Sequence, residues 1–212
     1  MTFGDSNTFR AERGDTTWTV HLESKAPGRI TVFNEGCNGR TTQYDSGERN
    51  GLSIIEDKLI AHAPVDYVIV MLGTNDVKSM YGPPSAAKIA DGMRKIFDVI
   101  DTQGGGAQPI LVTPPPLGKV TSGDLADAQW RIPPVAAQYR LLAMGRNIQL
   151  VDLNAVIDSS TDIEHDKVHL NATGRQKVAD AVWAILQNLI VSSTAPVLAR
   201  GSRTCVPQNI IL

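Results

Sequence analysis

Asp166 and His169 stand three residues apart in Asp166-Lys167-Val168-His169, just ahead of the last amphipathic segment of the chain. At that spacing one turn of backbone lets a carboxylate reach an imidazole, hold its Nδ1–H and leave Nε2 free as a base. A surface histidine beside a solvated aspartate is the plain alternative. Of the four histidines, His21 and His62 fall inside helical patterns and read as structural, and alternation turns His165 away from Asp166. Near the other end of the chain, Ser6 lies in Gly4-Asp5-Ser6-Asn7, after the short run Met1-Thr2-Phe3 and before a helix-like stretch. Small neighbours let the backbone turn sharply and leave the hydroxyl exposed. A serine beside a base is a nucleophile toward acyl groups. Taken singly, Ser6 reads first as a turn serine, because Gly-Asp-Ser is ordinary turn chemistry.

Acyl transfer also needs donors for the oxyanion. Asn75, in Gly73-Thr74-Asn75-Asp76, offers a side-chain amide, and Gly39 offers a backbone N–H that no Cβ obstructs. The Ser6 N–H would point toward the same developing charge. Each is, alone, a loop residue suited to a turn. Together, four separate loops supply the four parts that ester cleavage requires. Cys37 adjoins the Gly39 loop and could be a second nucleophile, but most cysteines so placed only pack, and no histidine is assigned to it. The sequence has no G-x-S-x-G, G-x-G-x-x-G, P-loop or H-E-x-x-H motif, so other hydrolase, nucleotide and zinc chemistries lack support. A phosphate cradle at residues 4–7 is weakened by the lack of a nearby lysine.

The elements that must position these residues follow from hydrophobic patterning. Residues 30–34, 67–72, 110–113 and 148–153 read as strands, the middle two apolar almost throughout, as in a parallel sheet covered on both faces. Residues 16–24, 52–61, 85–102, 125–144 and 173–190 read as helices, with Asn171 capping the last. Strands alternating with helices of this length predict a doubly wound α/β domain. Such sheets bind ligands beyond the carboxyl ends of their strands, where residues 4–7, 35–39, 73–76 and 114–116 fall. The predicted domain covers residues 1–191; residues 192–212 lose periodicity and read as a loosely ordered tail. Residues 114–134 are loop-rich, and Trp130 among them suits a pocket wall or a subunit contact, so a homo-oligomer is one expectation.

Gly4-Asp5-Ser6-Asn7, Gly39 within Asn38-Gly39-Arg40-Thr41-Thr42, Gly73-Thr74-Asn75-Asp76 and Asp166-x-x-His169 occur in the order of the GDSL/SGNH hydrolases, which the chain resembles from about Phe3 to Ile190. Glu35 to Thr42 and Met71 to Asp76 further resemble its arylesterase and acyltransferase branch. The resemblance implies a three-layer α/β/α, flavodoxin-like fold and no metal or other cofactor. It assigns Ser6 as nucleophile, Asp166 and His169 as its partners, and Ser6, Gly39 and Asn75 as oxyanion donors. The sequence departs from the usual pattern at Asn7, where many members carry Leu or Ile, and in its short first strand.

Composition fits this reading. Apolar residues make up 42% and charged residues 20% of 212, an ordinary globular balance for one domain. A net charge of −2 gives no general attraction to nucleic acid or an anionic membrane. Two distant cysteines argue against a disulfide framework or a cysteine-built zinc site. The sequence shows no membrane span and no signal peptide, so a cytoplasmic protein is expected if Met1 is the natural start. Few aromatic residues and no spare length for a large lid predict an open site for a short acyl group, and the resemblance to arylesterases implies acetyl-type esters, with hydrolysis or acyl transfer. Deacetylation of O-acetylated carbohydrates is the alternative within the same mechanism. A non-catalytic binding module is the alternative of another class.

Overall fold

The computed structural model describes residues 1–9, 16–82 and 84–194. Five parallel strands form one sheet: β1 (Thr2–Gly4), β2 (Asn34–Gly36), β3 (Tyr67–Met71), β4 (Gln108–Val112) and β5 (Gln149–Val151), in the order β2-β1-β3-β4-β5. This is the flavodoxin-like order, and its direction reverses between β1 and β3. The helices are α1 (Ser6–Phe9), α2 (Trp18–Glu23), α3 (Gly51–His62), α4 (Ala86–Gln103), α5 (Ile132–Arg146) and α6 (Ala172–Thr194).

The apolar run in β3 shows why both faces are covered. Val68, Val70 and Leu72 pack into one core with Phe3, Leu59 of α3, Met93 and Phe97 of α4, and Tyr139 of α5. Ile69 and Met71 point the other way, into a second core with Trp18 and Leu22 of α2 and Val178, Val182 and Leu186 of α6. Successive strand residues alternate between faces, so a strand buried on both sides must be apolar at every position. The three layers are thus α3, α4 and α5, the sheet, then α2 and α6. Among the described residues no helix is long and apolar enough to cross a membrane.

Three predicted elements differ. The strand expected at residues 30–34 forms instead at Asn34–Gly36, because its partner β1 begins only at Thr2, in register with Asn34. Among the described residues, no strand pairs with those before Asn34, although the Phe33 carbonyl still accepts the Thr2 N–H at 2.8 Å. The helix expected at residues 125–144 starts at Ile132, after a 3-10 turn at Ala128–Trp130. Pro133 and Pro134 lack N–H groups and fit only its first turn. β5 stops at Val151, and Leu153–Ala155 turns into a 3-10 helix where the Asp152 carboxylate accepts the Asn154 N–H. The Asn171 cap is present: its Oδ1 accepts the Gly174 N–H at 3.0 Å. α6 runs three residues beyond 191 to Thr194, and the rest of the tail lies outside the described residues.

Two fully buried groups brace the carboxyl edge of the sheet. Arg40, 0% exposed, lies over the Phe3 ring at 4.3 Å and donates to the carbonyls of Gly4, Glu35 and Glu48. It thereby ties the ends of β1 and β2 to the loop that follows them. Asp76, also 0% exposed, accepts the Thr42 N–H at 2.9 Å and the Thr42 hydroxyl at 2.5 Å through Oδ1. Its Oδ2 finds no partner among the described residues. A Cβ on Gly92 of α4 would lie 2.4 Å from the Thr42 hydroxyl, so only glycine lets that helix rest on this loop.

Replacing Arg40 by Leu keeps the packing on Phe3 but removes the donor that the Gly4, Glu35 and Glu48 carbonyls share, leaving the Gly4 carbonyl with only the Cys37 N–H. We expect Arg40→Leu to lose on the order of 3 kcal/mol in denaturant unfolding. A loss under about 1 kcal/mol would show that the guanidinium does not brace the edge.

Burial raises the Asp76 carboxyl to about 7, against the opposing pull of the Thr42 hydrogen bonds. The folded state therefore holds this proton more tightly than the unfolded chain. The stabilisation is full below the ordinary carboxylate value near 4 and is lost as pH rises through about 7. Asn at this position keeps an acceptor for Thr42 and has no charge to bury. The Tm of Asp76→Asn relative to wild type should rise by about 3 °C or more between pH 5 and pH 8. A difference that stays flat across this interval would place the proton elsewhere.

Candidate active site

The site forms where the strand order reverses, at the carboxyl ends of β1, β2 and β3. β1 runs straight into α1, whose first residue is Ser6. Two glycines make this turn possible. A Cβ on Gly4 would lie 2.2 Å from the Thr8 hydroxyl, and one on Gly36 would lie 2.3 Å from the Phe9 nitrogen. With hydrogen in both places, α1 folds back onto the ends of β1 and β2 and holds Ser6 at the edge, 8% exposed. Buried Asp5 fixes the start of α1, its side chain accepting the Asn7 N–H at 2.9 Å and its carbonyl accepting Thr8 and Phe9. Burial is the main influence on the Asp5 carboxyl and raises it to about 6, against the Asn7 hydrogen bond and the nearby His169.

The histidine arrives on a loop held at both sides of its turn. An isolated antiparallel bridge joins Ile163 and Leu170, and the Glu164 N–H donates to the His169 carbonyl at 2.7 Å. Lys167 takes a left-handed conformation, φ +67°, that reverses the chain between Asp166 and His169. The Asp166 Oδ1 accepts the Val168 and His169 N–H groups at 2.9 and 3.0 Å, which orients the carboxylate. Its Oδ2 lies 2.5 Å from His169 Nδ1, and His169 Nε2 lies 2.8 Å from the Ser6 hydroxyl. An ionised carboxylate can only accept, so Nδ1 carries the proton and Nε2 accepts from Ser6. Burial pushes the Asp166 carboxyl up, but hydrogen bonds from the His169 backbone and imidazole and from the Val168 N–H outweigh it and hold the group below its ordinary value. The structure thus brings together the three residues that the sequence singled out for nucleophilic chemistry.

The two candidate donors lie on adjoining loops. Gly39 follows β2 with φ +78°, in a turn closed by the Arg40 N–H on the Cys37 carbonyl, and the Cys37 N–H donates to Gly4 O. Asn75 follows β3, is 6% exposed, and spends one amide hydrogen on the Arg40 carbonyl at 3.2 Å. That bond fixes the amide and leaves its second hydrogen to donate. Arg40 thus links both loops through its carbonyl and side chain. The sequence motifs contained Arg40 without marking it; a charged residue between a glycine and two threonines was the only local signal.

Of the remaining histidines, His62 is bound to Glu35 at 2.7 Å and stacked on Phe33, a structural role as expected. His165 is exposed. Cys37 is a free thiol, half-buried. A cavity of about 670 Å³ lies at the opposite, amino end of the sheet, lined by residues such as Met1, Val32 and Tyr67. None of Ser6, Gly39, Asn75, Asp166 or His169 borders it.

No curated protein sequence matches the chain. A protein from Agrobacterium tumefaciens described as an arylesterase superimposes with a TM-score of 0.75 at 29% identity, covering 88% of this chain and 97% of that one. The aryl esterase of M. smegmatis gives 0.78 at 27% identity, over 89% and 97% of the two chains. A carbohydrate acetylesterase from Sinorhizobium meliloti gives 0.79 at 25% identity, over 89% and 97%. The sequence itself matches the GDSL-like Lipase/Acylhydrolase family over residues 2–177. The chain belongs to this family and is a carboxylic ester hydrolase.

Proposed function

We propose that the protein cleaves short-chain, acetyl-type esters through an acyl-enzyme on Ser6. The observation that carries this reading is the continuous chain from Asp166 through His169 to the Ser6 hydroxyl. Ser6 Oγ attacks the ester carbonyl while His169 Nε2 takes its proton, and Asp166 steadies the imidazolium that results. The N–H groups of Ser6 and Gly39 and the Asn75 amide stabilise the tetrahedral oxyanion. His169 then protonates the departing alcohol. In the second half it draws a proton from water, which attacks the acyl-enzyme and releases the acid. An alcohol in place of that water gives acyl transfer. No metal or cofactor takes part in this scheme.

The arylesterases among the similar structures, at 29% and 27% identity, support ester cleavage of this kind. A second reading, deacetylation of O-acetylated carbohydrates, draws support from the S. meliloti acetylesterase at 25% identity. Both readings use the same residues and differ only in the alcohol.

A series of p-nitrophenyl esters of increasing chain length, run beside acetylated sugars with Ser6→Ala as blank, separates them. We expect the highest kcat/KM at acetyl or propionyl. A maximum at long acyl chains would contradict the short-chain reading.

Asn75→Ala should cut kcat by about 10²-fold with little change in KM, because the lost donor acts on charge formed in the transition state. The variant also frees the Arg40 carbonyl, so its Tm must be measured alongside. Near-normal turnover in folded Asn75→Ala would remove Asn75 from the mechanism. Asp166→Asn should lose on the order of 10³-fold or more, since Asn can donate to Nδ1 and favour the wrong tautomer.

A further inference from the structure

Asn7 is the residue at which the sequence departs from the commoner Leu or Ile, and the scheme above gives it no part. It is 3% exposed, one residue beyond Ser6 in α1, and its side chain is directed at the loop that carries His169. The Leu170 N–H donates to Asn7 Oδ1 at 2.9 Å, and Asn7 Nδ2 donates to the Val168 carbonyl at 3.5 Å. One amide therefore grips the backbone immediately before and immediately after His169. Leu170 N–H can only donate, so the oxygen must face it, and the orientation of the amide is fixed by chemistry.

The rest of the His169 loop is held to itself, to α6 and, through the Gly118 N–H on the Lys167 carbonyl at 2.9 Å, to the segment after β4. Glu164 donates to the His169 carbonyl, Asn171 N–H to the Asp162 carbonyl, and buried Arg175 to the Leu170 carbonyl. None of these bonds reaches α1, which carries Ser6. Among the described residues, hydrogen bonds between α1 and this loop are the Ser6–His169 pair and the two made by Asn7. A hydroxyl–imidazole bond must loosen and reform during acyl transfer, so it cannot also be the anchor. The amide of Asn7 takes no proton and can stay in place throughout.

We propose that Asn7 is a positioning residue that sets His169 against Ser6 by clamping the backbone at Val168 and Leu170. This rests on the assignment of Ser6 and His169 made above. Near-attack geometry tolerates little drift, and a displacement of about 1 Å can cost on the order of 10²-fold in rate. Leu branches like Asn with the same number of side-chain heavy atoms, is bulkier and has no amide, so Asn7→Leu fills the space without the clamp and leaves the Leu170 N–H unpaired. Asn7→Asp keeps an oxygen facing that N–H in either protonation state.

The test is steady-state kinetics on p-nitrophenyl acetate with Tm measured in parallel. Asn7→Leu should lower kcat by about 10- to 100-fold with KM within about twofold of wild type, and Asn7→Asp, which keeps the bond to Leu170 and loses the one to Val168, should fall between Asn7→Leu and wild type. A purely structural role would lower Tm and leave the kcat of the folded enzyme unchanged. Folded Asn7→Leu with kcat within about twofold of wild type would overturn the proposal. Should Asn7→Leu not fold, Asn7→Ala decides: a loss of kcat above about 10-fold at unchanged Tm supports the clamp, and kcat within about twofold of wild type refutes it. Fluorophosphonate labelling of the unmutated protein, blocked in Ser6→Ala, is the control, since its failure would strike at the Ser6 assignment and not at Asn7.

Discussion

A serine hydroxyl and an imidazole 163 residues apart in sequence must stay within hydrogen-bonding distance, here 2.8 Å between Ser6 Oγ and His169 Nε2. Much of the fold can be understood as a way of meeting that constraint. The parallel sheet places the ends of β1, β2 and β3 side by side. Gly4 and Gly36 let α1 turn back tightly enough to keep Ser6 at the edge. The last loop is pinned by its own bridge at Ile163 and Leu170 before it reaches the serine. Each of these is a backbone arrangement, and backbone arrangements set by packed elements move less than side chains do.

Behind the reacting groups the structure buries charge. Asp5, Asp76 and Arg40 are all nearly or fully enclosed, each beside a segment that carries a reacting or donating group. Asp5 organises the start of α1, Asp76 holds Thr42 in the loop after Gly39, and Arg40 joins that loop to β1 and, through its carbonyl, to Asn75. Burying ionisable groups is costly, and hydrogen bonds to neighbouring backbone offset only part of it, so both carboxyls stand above their ordinary values. The gain is a set of donors already aimed before any ester arrives, which is how an oxyanion site avoids reorganising during the reaction.

What could be read in the sequence follows from whether the cause is local. β3 and β4 were legible because burial on both faces demands unbroken apolar runs. β2 was misplaced by several residues because its limits are set by β1, a partner some thirty residues away, and residues 30–33 are as apolar as a strand. The start of α5 was misjudged because apolar periodicity carried on through Pro133 and Pro134. Asp166 and His169 stood out because their spacing is itself the geometry. Ser6, Gly39 and Asn75 became readable only jointly, as parts of one reaction. Arg40 and Asn7 could not be read at all as structural agents: whether a polar side chain turns inward depends on what a distant loop leaves unpaired.

The most direct test of the account is where a fluorophosphonate attaches. The intact protein should gain the mass of one adduct, and peptide mapping should place it on Ser6, with the gain absent in Ser6→Ala and slowed in His169→Ala. An adduct on Cys37 or another residue, or none on a folded protein that still hydrolyses p-nitrophenyl acetate, would contradict it.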